Sequence, residues 1–494
     1  MILPVRSQDS TPLLSQLHHC ATQPDAPFYT PGHKRGHGIS PRLIEMMGDR
    51  VFQADLPELP ELDNLFTPSG VIQAAQDLAA AAFGAGRTWF LANGSTCGIE
   101  AAILATCTPG DKILLPRNSH KSAIAALVLS GARPVFLTPD YDPDWGIPGG
   151  VSPDQVARAL EQDPAIAAVF LVSPTYHGIC SNLEAIAPMV HAHQIPLIVD
   201  EAHGGHFAFH PTFPSAALAS GADLVIQSTH KVLGAMTQAS MLHQSQSSVS
   251  THPTWGDRLE ASLQLVQSTS PSYLLLASLD AARHQMATQG QALLDQTLSL
   301  ATSAQQAIRA IPGLRLLGDR LFDPQTGFAA HDPTRLTVSV QDIGWTGFAA
   351  DEYLHDICHV TAELPELHHL TFILTFGNTE QDISSLIQGF QGLQPRSLQS
   401  VPQSIALPTI SPPLQMSPRD AFFAPSVAVP LPDAIGRVSS TTVCPYPPGI
   451  PVLLPGEQIT PEAIATLQSV LDAGGVVTGG EGASFQHLRV IKEA

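Results

Sequence analysis

Short apolar runs punctuate the first half of the chain at regular intervals. They fall at 89–91, 112–115, 134–137, 167–172, 196–199 and 223–226. Each is three to six residues long, rich in Val, Ile, Leu and Phe, and closed by turn residues, which predicts buried strands. Between them the apolar positions return with helical spacing at 96–106, 119–130, 152–161 and 183–192. Strands alternating with helices predict an α/β fold whose mainly parallel sheet is covered on both faces. A helix over 71–83 precedes the first run, with Gly84 and Gly86 as its stop. Before it, Leu13, Leu14 and Leu17 mark a short amphipathic helix, and 55–65 reads as an acidic, non-helical connector.

Beyond the last run, a long helical pattern begins at Leu274 and helices continue to about Ile311. Pro312 and Gly313 break it and start a smaller α/β unit, with strands expected at 337–340 and 370–376. Residues 394–418 are rich in Pro, Ser and Gln and poor in charge, the composition of a linker or a long surface crossing. The prolines of 443–457 forbid helix there and predict a rigid extended loop. The expected organisation is an arm over 1–70, a large unit over 71–300, a small α/β unit over 301–393, the linker, and a C-terminal domain over 419–494.

The chain has 494 residues, 44% apolar and 13% charged, with a net charge of −20. Such a length supports two or three domains, and the sparse charge suits surface buried between subunits. Nucleic acid is excluded as a partner, because binding it needs clustered Lys and Arg. The six cysteines form no CxxC pair, which fits a reducing cytoplasm. Residues 1–10 lack the apolar core of a signal peptide, and no stretch is long and apolar enough to span a bilayer. Despite 21 histidines there is no HExxH, and no metal site is expected.

The candidate chemistry sits on two strand ends. Lys231 stands just past the run 224–226, where an ordinary solvated lysine is poorly placed. A lowered pKa there would make it a nucleophilic amine able to form a Schiff base. Asp200, 31 residues upstream, also ends an apolar run. Strand carboxyl ends are where ligands bind in parallel α/β folds. An Asp and a Lys on two such ends meet the needs of pyridoxal 5'-phosphate, the Lys as its amine and the Asp as partner of its ring nitrogen. Asn93, Gly94, Ser95 and Thr96 lie between the first strand and its helix. They suit either a phosphate held at a helix N-terminus or an ordinary N-cap. Ser173 to Gly178 either lines the site or is a simple turn.

The segment Ser228-Thr-His-Lys231 followed by Gln238-Ala-Ser240 resembles the cofactor lysine segment of the bacterial ornithine/lysine/arginine decarboxylases. Asp200-Glu-Ala-His203, Thr30-Pro-Gly-His-Lys34 and Tyr446-Pro-Pro-Gly-Ile-Pro451 fit the same family, in the same order. The resemblance implies a fold-type-I, aspartate aminotransferase-like large domain with a seven-stranded-type sheet, a small α/β domain and a C-terminal domain of the family. It implies pyridoxal 5'-phosphate as cofactor, held by Lys231 and Asp200. Ser95 and Thr96 would contact the phosphate, helped by Ser228 and His230. His120 would stack on the ring, with Ala202 and His203 close by. Thr269 and Ser270 would reach the neighbouring subunit's cofactor, making at least a homodimer with shared active sites. Glu363 would meet the distal cation of a basic amino acid substrate, and His33 and Lys34 would border the site. Lys231 or a histidine such as His120 or His230 would return a proton to the product carbon. With the Thr30 motif so near the start, a receiver-like domain and a decamer are not expected.

The compact branch of the family points to arginine as substrate and agmatine as product, for polyamine synthesis; lysine and ornithine are the alternatives. An aminotransferase or other lyase on the same fold would use the same Asp and Lys, an aminotransferase with an arginine to clamp the substrate carboxylate; a catalytically silent paralogue that binds the cofactor is the third alternative, and the intact Asp200–Lys231 pair argues against it. No Lys or Arg lies between Arg335 and Arg396. A decarboxylase has less use for that clamp, since binding the ground state does not lower the barrier.

Overall fold

The computed structural model describes residues 7–397, 412–446, 450–472, 475–482 and 485–492. Contacts divide the chain into two units. The first holds Met1–Ala105, Val199–Pro211 and Ser215–Leu293; the second holds Thr106–Ile198, Thr212–Pro214 and Leu294–Ala494.

Seven strands form the large sheet: β1 (Ala85–Leu91), β2 (Lys112–Pro116), β3 (Arg133–Leu137), β4 (Ile166–Val172), β5 (Leu197–Asp200), β6 (Leu224–Gln227) and β7 (Ser240–Ser245). Within the first unit β1, β7, β6 and the end of β5 follow one another; within the second, the start of β5, then β4, β2 and β3. β2 pairs in parallel with β3 and β4, and β7 runs antiparallel to β1 and β6. Every residue of β5 and β6 is buried, as expected of strands covered on both faces. The α/β expectation holds, with six of the seven strands foreseen. β7 was not, because its Ser-Met-Leu-His-Gln-Ser sequence has no apolar run.

In the first unit, the helix Val71–Phe83 stops at Gly84 in a left-handed turn (φ 74°). Gly86 is not part of that stop: it lies inside β1, where a Cβ would come within 2.8 Å of the Gln246 Cα. The helix start is held by Asp63, whose carboxylate accepts the N–H groups of Gly70 (2.7 Å), Ile72 (3.1 Å) and Gln73 (3.3 Å). Burial pushes the Asp63 carboxyl up, but N–H groups of Ser69, Asn64, Gly70 and Gln73 outweigh it and hold it below its ordinary value. The helix Gly94–Thr106 lies close on the sheet at Gly98. A Cβ there would sit 2.6 Å from Leu91 Cδ1 and 3.0 Å from Ile226 Cγ2. The N-terminal helix Pro12–Thr22 takes its cap from the fully buried Asp280, which accepts the Leu13 and Leu14 N–H groups and pairs with Arg283.

In the second unit, Lys121–Ser130 begins two residues later than expected, with His120 as its N-cap. Arg335–Ser339 and His369–Ile373 are the central strands of a four-stranded antiparallel sheet, packed against Gly347–Cys358 and Glu380–Gly392 through Leu336, Val338, Leu370 and Phe372. Further on, Ser426–Pro430 pairs with His487–Ile491 around a core that includes Leu453 and Leu467. Of the expected linker, 398–411 lie outside the described residues, as do Pro447, Pro448 and Gly449 of the late proline motif. Among the described residues no helix is long and apolar enough to cross a membrane.

Candidate active site

Asp200 ends β5 and is buried, 4% exposed. Its Oδ1 accepts the Ala202 N–H at 3.0 Å. Burial raises the Asp200 carboxyl above its ordinary value, against the pull of Lys231 and the Ala202 N–H. Lys231 lies in the single turn Thr229–Val232 that follows β6. Its Nζ is 3.0 Å from Nε2 of the buried His203. The two strand ends therefore bring Asp200, Ala202, His203 and Lys231 into one place within the first unit.

The same unit places hydroxyls around a helix start. Ser228 Oγ donates to Ser95 Oγ at 2.8 Å. Ser95 and Thr96 are the second and third residues of Gly94–Thr106, and Thr96 is exposed. The first N–H groups of that helix have no intrahelical partner and favour an anion. Thr229 Oγ1 is buried without a hydrogen-bond partner among the described residues. A buried orphan hydroxyl costs stability unless something else fills it. His230 Nδ1 donates to the Ala239 carbonyl at 2.9 Å. Burial lowers the His230 pKa, the Ala239 bond opposes that, and Lys231 adds to the lowering. A neutral His230 with Nδ1–H committed to a carbonyl has Nε2 as an acceptor, so it is poorly suited to donate to a phosphate.

Behind Asp200 runs a buried polar chain that sequence reasoning missed. Glu201 accepts the Ala217 N–H and the Gln227 side-chain amide, both at 2.7 Å. Gln227 Oε1 then faces His243 Nε2 at 3.1 Å, and His243 Nδ1 faces Thr88 Oγ1 at 2.8 Å. Burial pushes Glu201 up to about 8 and His243 down to about 3.

The remaining candidates are spread out. His120, in the second unit, caps its own helix: Nδ1 accepts the Ser122 N–H at 3.2 Å. Thr269 and Ser270 are exposed just before the helix Tyr273–Arg309. His33 Nε2 meets Asp55 Oδ2 at 3.1 Å, and Lys34 Nζ donates to the Tyr29 carbonyl, so both are engaged inside the N-terminal loop. Glu363, in the second unit, is exposed and its backbone N–H pairs with Thr371 O. It lines a cleft of about 400 Å³ with His359, Asn378 and Asp382.

A buried carboxyl at a strand end, an amine in the turn after the neighbouring strand, and hydroxyls at a helix N-terminus form the donor set that pyridoxal 5'-phosphate requires. The orphaned Thr229 hydroxyl beside Ser228 fits a phosphate in the same way. Residues 11–388 match the Orn/Lys/Arg decarboxylase major domain, and residues 406–473 match the Orn/Lys/Arg decarboxylase C-terminal domain. Over 491 residues, 99% of each chain, the sequence is 39% identical to an arginine decarboxylase of Bacillus subtilis. It is 40% identical over 490 residues, 98% of each chain, to an arginine decarboxylase of Halalkalibacterium halodurans. The chain belongs to the Orn/Lys/Arg decarboxylase family. The Francisella novicida lysine decarboxylase LdcF has the same fold, with a TM-score of 0.82, 22% identity, and coverage of 98% of this chain and 81% of that one.

Arg335 is 1% exposed and sits against Asp332, and a Cβ at Gly178 would fall 2.5 Å from its Cγ, so its side chain is buried within the second unit.

Proposed function

We propose that this member of the Orn/Lys/Arg decarboxylase family is an arginine decarboxylase, converting L-arginine and one proton to agmatine and carbon dioxide. The observation that carries the reading is end-to-end identity of about 39% with proteins named arginine decarboxylase, around a site that retains Asp200 and Lys231. Pyridoxal 5'-phosphate, when bound, supplies an electron sink for the pair left behind as the α-carboxylate departs. Lys231 would hold it through Nζ, Asp200 would partner its ring nitrogen, and Ser95, Thr96, Ser228 and Thr229 would bind its phosphate. A cation against Asp200 offsets the burial that now raises its pKa, so the carboxylate becomes charged when it has a partner. His203, hydrogen-bonded to Lys231 Nζ, orients that amine and can exchange a proton with it. Lys231 is thus the group best placed to return a proton to the product carbon, with His230 beside it. Glu363 would pair with the substrate guanidinium.

In this reading the protein works as at least a homodimer in the cytoplasm, in polyamine synthesis. The exposed Thr269 and Ser270 would complete the neighbour's site, and His120, His33 and Lys34 would join it. Carbon dioxide release from L-arginine, L-lysine and L-ornithine tests the reading. Arginine should give the highest kcat/KM. Faster lysine or ornithine would overturn the substrate, and no release from any of them by cofactor-loaded protein would overturn the reaction.

A further inference from the structure

The second unit carries a cluster of nitrogen and oxygen donors outside the residues discussed above. His177 ends the turn after β4, and Glu366 and His369 flank the entry to the strand His369–Ile373. Both histidines are buried, and Glu366 is 18% exposed. His177 Nε2 is 2.6 Å from Glu366 Oε2, and His369 Nδ1 is 3.3 Å from the same oxygen. One ligand atom from each of the three residues lies within 4.8 Å of the others. The imidazoles meet edge to face at 5.6 Å, so their nitrogens converge and their faces do not compete.

The second observation concerns His369. Among the described residues its Nδ1 is buried with no hydrogen-bond partner, although a carboxylate oxygen of the cluster lies 3.3 Å away. That nitrogen therefore faces the cluster, and in the tautomer with the proton on Nε2 it offers a lone pair there, as a metal-bound histidine does. His331 Nε2 bonds the His177 carbonyl at 3.1 Å and steadies the other ligand's backbone.

We propose that His177, Glu366 and His369 bind one Zn²⁺ ion, which joins the turn after β4 to the small sheet. Two imidazoles and a carboxylate are a zinc donor set that leaves a fourth position for water. Bonds of about 2.1 Å in a tetrahedron put ligand atoms roughly 3.4 Å apart. The His369–Glu366 separation already meets this, and the 2.6 Å separation must widen by under about 1 Å. Glu366 can swing that far because its side chain is partly exposed, and the same opening admits the water. The absence of HExxH hid the site, since 189 residues separate His177 from Glu366.

The test uses cofactor-loaded protein stripped of metal by a chelator. Zn²⁺ is titrated against a chromophoric chelator, and Co²⁺ is added separately as a spectroscopic probe. One tight equivalent of Zn²⁺ per chain is expected, with a raised melting temperature and intense visible Co²⁺ bands of a four-coordinate site. His369→Gln and Glu366→Gln should each weaken binding by more than the roughly 10–100-fold typical of losing an outer-shell partner. Cofactor absorbance shows whether each variant is folded. Equal uptake by the parent and a folded variant overturns the proposal, as does no uptake by the parent. If neither variant folds, the parent decides alone: weak six-coordinate Co²⁺ bands would mean surface histidines and overturn it.

Discussion

The buried chain behind Asp200 makes a quantitative prediction at His243. Glu201 takes donors on both oxygens, so Gln227 presents its amide N–H₂ to Glu201 and its carbonyl to His243. His243 must then donate from Nε2 and accept from Thr88 Oγ1–H at Nδ1. A proton on Nδ1 would meet a hydroxyl already donating in a site with no exposure, and burial pushes the His243 pKa down to about 3. The unfolded value is about 6.5. Below 6.5 the unfolded chain binds a proton that the folded chain refuses. The stability contribution is therefore present above pH 6.5, falls as pH drops through that value, and levels off only below about 3. Between pH 7.0 and 5.5 the loss is about 1.3 kcal/mol. His243→Gln keeps an N–H for Gln227 and a carbonyl for Thr88 but does not titrate. Its lost volume costs the same at both pH values and cancels from the comparison. Differential scanning fluorimetry of both cofactor-loaded proteins at pH 7.0 and 5.5 should show the parent losing about 1 °C more than the variant. Parallel drops would refute the fixed direction of this chain and the burial argument with it.

Other perturbations read out the site. Gly98→Ala gains about 1 kcal/mol in helix propensity but forces a Cβ against Leu91 and Ile226, which overpacks by about 1–3 kcal/mol. A lower melting temperature and weaker cofactor binding are expected, since the helix start bearing Ser95 and Thr96 must shift; a higher melting temperature contradicts the close approach. Glu363→Gln should lower kcat/KM for arginine on the order of thirtyfold, about 2 kcal/mol, because a charge pair becomes a neutral hydrogen bond. Parental kinetics would make Glu363 a surface residue. Mixing inactive Lys231→Ala chains with inactive Thr269→Ala chains should restore part of the activity through shared sites, and a fully active monomer would rule sharing out.

Much of the scaffold was legible because burial on both faces writes itself as uninterrupted Val, Ile and Leu. β5 and β6 stand out for that reason, and Asp200 and Lys231 stand out as the polar residues that end them. β7 escaped because His243 and Gln244 are polar yet buried, and only folding supplies the partners of His243. Asp63 looked like part of a loose acidic connector, yet it organises the start of the helix Val71–Phe83 through N–H groups. Gly86 looked like punctuation, yet its missing side chain makes room for Gln246. His177, Glu366 and His369 carry no spacing rule as a set, because 189 residues separate His177 from Glu366.

The most direct test of the account is chemical trapping at Lys231. Borohydride reduction of the yellow, cofactor-loaded protein, followed by peptide mapping, should find the pyridoxyl group on Lys231 alone. Its appearance on another lysine, such as Lys121, would contradict the site built on the ends of β5 and β6.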